Sequence, residues 1–497
     1  MATSTASRTA ACHGPEIRHD NFVPRSFKRI RLAIPQDFDT CYGIVAGYLR
    51  HPEAAYSVEE CILHPPRRGH RAFTGLLRGP PADIVDDSMQ ERIMRHAQSL
   101  GLGDELTLKL SEALDLNKPQ FNDGELTMNY TNYGFYSAVA TLLISLCPNI
   151  VTLRIYGVDL DTPLGQLLLK NNYGMLAKPV LQKLREVQLH PVNCMDEREY
   201  ARIQSVDHIR YFHRLPAIDR LSMEGLEEYD AEIEFFPPKS SHGIKEIRMS
   251  HVDMSAEMVG TIIRIPKTLE KYSLSTNGLQ NQYDHESTLD AETLARCLSE
   301  HKDWLTELDI DAAVCWPSDH EVDVFEEEWK VEQMSKWYFV LDQRDGSSDL
   351  PLRLEDVPAT RDYPARSIGS LADFRALKRL SIRIGLLLGY DDTKATDGYR
   401  LINRLPTHVP SARRRLIDVL PASLEFLRLY GYKKGDYADV DSHVAELLER
   451  KSELFPNLGE IEGVDEFLPG VPGTYDVALD DEEVWIRPEE NLNWAED

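Results

Sequence analysis

The stretch LEKYSLSTNGL, Leu269–Leu279, shows most clearly the pattern on which the fold prediction rests. Apolar side chains stand at its first, fourth, sixth and eleventh positions, with Tyr272 as the apolar residue at the fourth, and Asn277 stands at the ninth. This spacing is typical of repeats in which each copy contributes one short β-strand. The segment therefore predicts a strand of about three to five residues with one apolar and one polar face.

The same ladder of apolar residues recurs on both sides of this stretch with looser spacing. The further copies repeat the apolar residues at positions one, four and six: Ile150–Val158, Leu184–Val192, Ile218–Leu226, Ile244–Val252, Leu305–Ala313, Leu377–Ile382, Leu424–Leu429 and, in degraded form, Leu458–Ile461. The long interval between the copies at Leu305 and Leu377 leaves room for one divergent repeat. Recurrence at a loose period predicts a repeat protein.

Segments with helical spacing lie between the ladders, as in Phe135–Leu146, Ala291–Leu298 and Val440–Leu448. The alternation of strand and helix predicts an α/β fold, an irregular leucine-rich-repeat solenoid over residues 26–475 with a curved parallel sheet inside and helices outside. The alternative is a doubly wound α/β domain. Charged residues alternate with apolar ones in these strands, which favours the solenoid because one strand face would be wet.

Four segments fall outside the regular pattern. We expect a disordered N-terminal segment over residues 1–25, insertions over about 66–132 and 316–370, and an acidic C-terminal tail over residues 476–497. In the first insertion, Ile84, Met89 and Ile93 predict a helix. The following DELTLKL, Asp104–Leu110, is compatible with a strand.

The composition excludes several classes of function. There are 55 basic and 82 acidic residues, a net charge of −27, and such a field repels phosphate backbones and anionic membrane surfaces. The seven cysteines form no Cys-x-x-Cys pair, the N-terminus has no apolar stretch of signal-peptide length, and no window approaches the roughly 18 apolar residues of a membrane span. We therefore expect an intracellular protein, cytoplasmic or nuclear, that binds neither nucleic acid nor membrane.

No motif for catalysis or cofactor binding stands out. The chain has no phosphate-binding glycine loop and no G-x-S-x-G nucleophile elbow. His208 and His213 are five residues apart, so a helix would not place both imidazoles on one face for a metal ion. The sequence thus predicts no catalytic, cofactor-binding or metal-binding residue, and a protein that is not an enzyme.

The candidate site lies on the strand face opposite to the apolar ladder. Positions five and seven flank the inward position six and point to the other side of each strand. Tyr and Arg are enriched at binding hot spots, and a central pair of aspartates would supply a negative centre. The predicted partner-binding residues on this concave face are Arg154, Tyr156, Gln188, His190, Arg248, Asp309, Asp311, Arg383, Arg428 and Tyr430.

Two stretches carry a family resemblance. They are PRSFKRIRLAIPQDFDTCYGIVAGYLRHPEAAYSVEECILHP, which begins at Pro24, and LCPNIVTLRIYG, which begins at Leu146. The first holds two further ladders, at Phe27, Ile30 and Leu32 and at Val58, Cys61 and Leu63. Both stretches resemble the repeat portion of filamentous-fungal F-box/leucine-rich-repeat-like proteins. The Leu-Pro-x-Glu-like opening of an F-box is not found ahead of the first stretch.

The function expected from the sequence is therefore that of a non-catalytic scaffold that binds a protein partner on the concave face. The resemblance implies an alternative, the substrate-recognition subunit of a cullin-type ubiquitin ligase with a missing or degenerate F-box. Its partners would include ubiquitin-ligase components. A more distant alternative is an enzyme on a doubly wound α/β fold.

Overall fold

The computed structural model describes residues 26–33, 35–65, 87–114, 125–190, 200–203, 205–228, 236–276, 291–312, 367–389, 414–470 and 495–496. The chain is an α/β protein with helices and a large sheet of eleven parallel strands. It divides into two compact units, residues 1–187 with 215–217 and 487–497, and residues 188–214 with 218–486. The predicted N-terminal segment and most of the predicted 316–370 insertion and acidic tail lie outside the described residues.

The first unit contains, in chain order, β1 (Phe27–Leu32), α1 (Pro35–Arg50), a 3-10 helix (Pro52–Ser57), β2 (Glu60–Leu63), α2 (Asp87–Ser99), α3 (Asp104–Leu114), α4 (Glu125–Leu146), β3 (Thr152–Ile155), α5 (Pro163–Asn172) and the start of β4 (Glu186–Leu189), and it ends with β14 (Ala495–Glu496). β1, β2 and β3 pair in parallel and in sequence order. β14 pairs antiparallel with β1, so part of the predicted tail is a strand. The ladders at Phe27, Val58 and Ile150 each coincide with a strand.

The first predicted insertion contains α2, α3 and the start of α4 among its described residues. α2 confirms the helix predicted from Met89 and Ile93, but DELTLKL is a helix and not a strand. Alternating leucines gave a period of two, whereas the buried residues are Leu110 and Leu114, four apart, and Leu108 is 58% exposed. Two acidic residues in the first turn of α3 also favour a helix, because they face its positive end.

The second unit contains, in chain order, the end of β4, β5 (Ala201–Ile203), α6 (Ser205–Arg210), β6 (Arg220–Glu224), β7 (Leu226–Glu228), β8 (Glu246–Val252), α7 (Ala256–Arg264), β9 (Lys271–Thr276), α8 (Ala291–Ser299), β10 (Glu307–Asp311), β11 (Arg379–Arg383), α9 (Ile384–Leu388), α10 (Leu416–Val419), β12 (Phe426–Tyr430), α11 (Ala438–Leu454) and β13 (Glu460–Glu462). β5 and β7 form a separate parallel pair. The ladders predicted in this region each coincide with a strand of the sheet.

The strands of the second unit follow one another across the sheet in the order of the sequence. β6, β8, β9, β10, β11, β12 and β13 are parallel neighbours in that order. β10 pairs directly with β11, so the long interval after Leu305 inserts no strand between them. The residues at ladder positions four and six, such as Leu221 and Met223 in β6, are buried.

The approach to β11, β12 and β13 repeats the same backbone geometry. The residue at ladder position one donates its amide to the carbonyl oxygen of an apolar residue three positions earlier. Leu377 donates to Phe374 O, Leu424 to Pro421 O and Leu458 to Phe455 O, at 3.0 to 3.3 Å. The next two amides then share one carbonyl of the preceding repeat, as the N–H groups of Lys378 and Arg379 share Thr306 O at 2.9 and 3.1 Å. This turn precedes the three strands and is visible in the sequence as FRAL, PASL and FPNL.

Candidate interaction surface on the polar side of the sheet

In the second unit the side chains at ladder position five form one row. Successive members are register partners on neighbouring strands: Ser222, Arg248, Ser273, Asp309, Ser381, Arg428 and finally Glu462. Adjacent parallel strands lie about 4.8 Å apart, so seven strands carry this row over about 29 Å. The row contains three of the predicted site residues, Arg248, Asp309 and Arg428, and places them on one side of the sheet.

Two of the predicted residues, Arg154 and Tyr156, belong to the first unit and are engaged there. Arg154 Nε lies 2.7 Å from Glu60 Oε1, and Arg29 Nε lies 2.5 Å from Glu60 Oε2. The Tyr156 ring stacks on His64 at 5.2 Å between centroids. These two residues are held by local contacts within the first unit.

The end of β4 provides Gln188 and His190. Gln188 is half-buried, but His190 is only 5% exposed. The prediction that His190 presents its imidazole to a partner is therefore not supported by its position. Alternation along a strand predicts which side a residue faces, and it does not predict what covers that side.

Arg248 is the most exposed of the predicted residues, with 54% of its side chain accessible. Its Nε lies 2.5 Å from Glu246 Oε1, and Glu246 also accepts from Arg220 Nε at 3.0 Å. Burial alone would raise the pKa of Glu246, but the hydrogen bond from Arg220 and the charge of Arg248 outweigh it and lower that pKa. Glu246 is thus an anion held between two guanidinium groups.

Asp309, Arg428 and Tyr430 form a polar network on β10 and β12. Tyr430 Oη donates to Asp309 Oδ1 at 3.2 Å, and Arg428 Nε donates to Glu462 Oε2 at 2.6 Å. Burial raises the pKa of Asp309 above its usual range even though the hydrogen bond from Tyr430 works in the other direction. Hydrogen bonds to Tyr430 and Glu462 raise the pKa of Arg428, so it stays charged.

Asp311 and Arg383 pair with each other beneath another part of the chain. Arg383 Nη2 lies 3.4 Å from Asp311 Oδ1, and each residue is 9% exposed. The backbone at Gly470 lies directly against the pair, because a Cβ there would overlap the Arg383 guanidinium and approach Asp311 Oδ1 to 2.6 Å. The two residues face the predicted side, but their surface is covered.

A second row, at ladder position three, was missed by the sequence analysis. Its register partners are Arg220, Glu246, Lys271, Glu307, Arg379, Phe426 and Glu460. Charges alternate along it, with Lys271 Nζ 3.1 Å from Glu307 Oε2 and the Arg379 guanidinium 4.2 Å from the Phe426 ring centroid. The rule that selected positions five and seven applies equally to position three, so this row could have been found.

Several titratable side chains are buried in the core, away from the polar side of the strands. Burial raises the pKa values of the Cys41, Cys61, Cys147 and Cys297 thiols, which keeps these thiols protonated. His301 accepts the Leu269 amide at Nδ1 and contacts Ile263 O with Nε2 at 2.9 Å, and burial lowers its pKa. Among the described residues, no group of three His, Cys, Asp or Glu side chains is arranged to hold a metal ion.

Comparison with protein-family models and with curated proteins gave no match. Within the described part of the chain, no helix combines the length and apolar character needed to cross a membrane.

Proposed function

We propose that this chain is a non-catalytic interaction scaffold whose protein partner docks on the polar side of the second unit's sheet. The observation that carries the proposal is the row of seven polar side chains in register across β6 to β13. Together with the row at position three, it gives a surface of mixed charge over β6 to β10, whereas Ser381 on β11 and Phe426 on β12 are buried. Such a surface suits recognition of a protein by complementary charge and shape.

We further propose that the fold is an irregular leucine-rich-repeat solenoid related to the fungal F-box/leucine-rich-repeat-like proteins. Strand order that follows sequence order supports this, because a doubly wound sheet reverses its strand order at a switch point. The recurring bond pattern in which two successive amides share one carbonyl of the preceding strand region, as at Lys378 and Arg379, supports it as well. A repeat fold buries each apolar ladder against its neighbours and leaves the other strand face for binding.

The centre of the proposed surface is the best place to test it. Ser273 lies between Arg248 and Asp309 in the position-five row and is partly exposed. Ser273→Arg adds bulk and charge there without removing any described ion pair. We expect it to weaken partner binding by about 2 kcal/mol or more, roughly thirtyfold, because central interface positions dominate affinity.

The experiment is affinity purification of the tagged full-length chain from its native cells, with quantitative mass spectrometry. The matched control is Ser452→Arg on the exposed side of α11 in the same unit. Partners that are retained by the control and lost with Ser273→Arg support the proposed surface. Partners that tolerate Ser273→Arg contradict it. Cullin-ligase components among the lost partners would identify the scaffold as a substrate-recognition subunit.

A further inference from the structure

The residues that follow β13 turn back across the polar end of the sheet. We call residues Gly463–Gly470 the strap. Gly463 has a φ of +81°, and a Cβ there would overlap the carbonyl oxygen of Leu429 in β12. Only glycine fits this combination of left-handed backbone and close approach. The chain therefore reverses direction tightly against β12 as it leaves β13.

From this reversal the strap passes the carboxyl ends of three strands. The Gly431 amide, just after β12, donates to Leu468 O at 2.9 Å. Two residues later Gly470 lies against Arg383 at the end of β11 and Asp311 at the end of β10. Arg383 and Asp311 are both on the predicted binding face and both nearly buried, whereas Arg248 on β8 is 54% exposed. The strap thus lies on the β10–β12 end of the proposed surface.

The strap is attached in a way that permits release. Of its eight residues, only Gly463 is buried, and the Phe467 side chain is 49% exposed. Asp465 and Glu466 are exposed as well, and Val464 and Leu468 are only partly buried, so no large apolar side chain of the strap lies fully in the core. Segments held by few buried contacts open more readily than the sheet beneath them.

We propose that the strap is a built-in competitor, a removable cover that occupies the β10–β12 end of the interaction surface until a partner displaces it. This inference rests on the proposed scaffold function and concerns the regulation of that same surface. The strap also indicates the chemistry of the segment that replaces it. That segment is a short peptide with a glycine where its backbone meets the Arg383–Asp311 pair.

A peptide of the strap itself tests this proposal without the natural partner. The probe is the end-blocked octapeptide GVDEFLPG, residues 463–470, carrying a fluorophore, and its binding to the full-length chain is measured by fluorescence anisotropy. Gly470→Val is expected to lift the resident strap, because its side chain collides with Arg383 and Asp311. We expect at least tenfold tighter peptide binding to Gly470→Val than to the unmodified chain.

The control variant is Gly459→Ala, ahead of β13, where a Cβ meets nothing closer than Glu425 O at 3.9 Å. It should bind the peptide as weakly as the unmodified chain. A peptide with valine in place of its last glycine should not bind any of the chains. Hydrogen exchange gives a second reading, since the Gly431 amide should exchange at least tenfold faster in Gly470→Val when Leu468 O withdraws.

Equal peptide binding by the three chains, or no binding by any of them, would overturn the strap proposal. Unchanged exchange at Gly431 would do the same. Either result leaves the scaffold proposal standing, because Ser273 lies on β9, away from the strands that the strap crosses. If the Ser273→Arg experiment contradicted the scaffold proposal while the peptide bound as expected here, the strap would be a structural element that covers a surface no partner uses.

Discussion

Both units build strands from the same apolar ladder, but the opposite side of the strands differs between them. In the first unit, position five of β2 is Ile62, which is fully buried, and position five of β1 is Arg31, buried against Asp37. In the second unit, positions five of β8 and β9 are Arg248 and Ser273, which keep accessible surface, and only Ser381 on β11 is buried among the seven residues of the described row. The ladder therefore determines the inward side of a strand, and the packing of other segments decides whether the outward side becomes core or surface.

The largest expected difference between the units concerns their aspartates. Asp37 accepts from Arg31 Nε at 2.9 Å and from the Ala33 amide at 3.0 Å, fully buried. Asp37→Ala should lower the free energy of unfolding by about 3 to 5 kcal/mol, because it deprives a buried guanidinium of this carboxylate. Asp309→Ala in the second unit should cost only about 1 kcal/mol, since Asp309 is partly exposed. Urea unfolding of both variants measures the difference.

Equal losses for the two aspartate variants would mean that the outward sides of the two units are equally buried. The contrast between packing in one and surface in the other would then be wrong.

Position five itself provides the next test. Ile62→Ala removes a fully buried side chain and should destabilise the chain by about 2 to 4 kcal/mol through lost burial and the cavity left behind. Ser273→Ala, at the same ladder position in β9, should change stability by no more than about 0.5 kcal/mol. Thermal unfolding of the two variants checks this. A large loss for Ser273→Ala would show that its side of the sheet is packed.

The strands could be predicted from the sequence because a period-two pattern is a local property. Leu153, Leu221 and Leu274 are buried for the same reason, since alternate residues of a strand face one side. In a repeat fold the strands would follow sequence order, because each repeat buries its ladder against the next repeat. DELTLKL was misassigned because the same leucines are consistent with two periods when the buried positions are unknown.

The accessible part of the site could not be predicted in the same way. Asp311 and Arg383 lie at the expected positions, but the residue that covers them, Gly470, is far away in the sequence. His190 is likewise on the predicted side and buried. Which outward residues remain exposed depends on contacts between distant segments, and no local pattern contains that information.

Acid should destabilise the buried interior of both units. Burial lowers the pKa of His96, in the first unit, to about 4, and also lowers that of His301 in the second. In the unfolded chain a histidine takes up its proton near its ordinary pKa of about 6.5. The contribution of the buried histidine to the free energy of unfolding is therefore fully present above that pH and is lost as the pH drops towards 4. At pH 5 the loss due to His96 should be about 2 kcal/mol.

His96→Gln tests the contribution of the first unit, because an amide can keep a hydrogen bond to Ser145, whose Oγ lies 2.8 Å from His96 Nε2. The free energy of unfolding is measured in urea at pH 7 and at pH 5. Its loss between the two pH values should be about 2 kcal/mol smaller for His96→Gln than for the unmodified chain. An identical fall in both chains would show that His96 is protonated in the folded protein at pH 5.

The smallest expected effect comes from two matched arginine–glutamate–arginine triads. Glu60 joins Arg29 and Arg154 in the first unit, and Glu246 joins Arg220 and Arg248 in the second. The two glutamates are about equally buried, but the side chains of Arg29 and Arg154 are 20% and 18% exposed, against 35% and 54% for Arg220 and Arg248. Glu60→Gln should therefore cost about 2 kcal/mol and Glu246→Gln about 1 kcal/mol or less, because solvent screens the exposed charges.

Salt makes this comparison sharper. Raising the salt concentration to about 1 M shortens the screening length to about 3 Å and should remove most of the cost of Glu246→Gln while leaving most of the cost of Glu60→Gln. Urea unfolding at low and high salt measures both. If salt reduced both costs equally, the two triads would be equally exposed to solvent. The outward side of β1 to β3 would then be as open to solvent as that of β6 to β9.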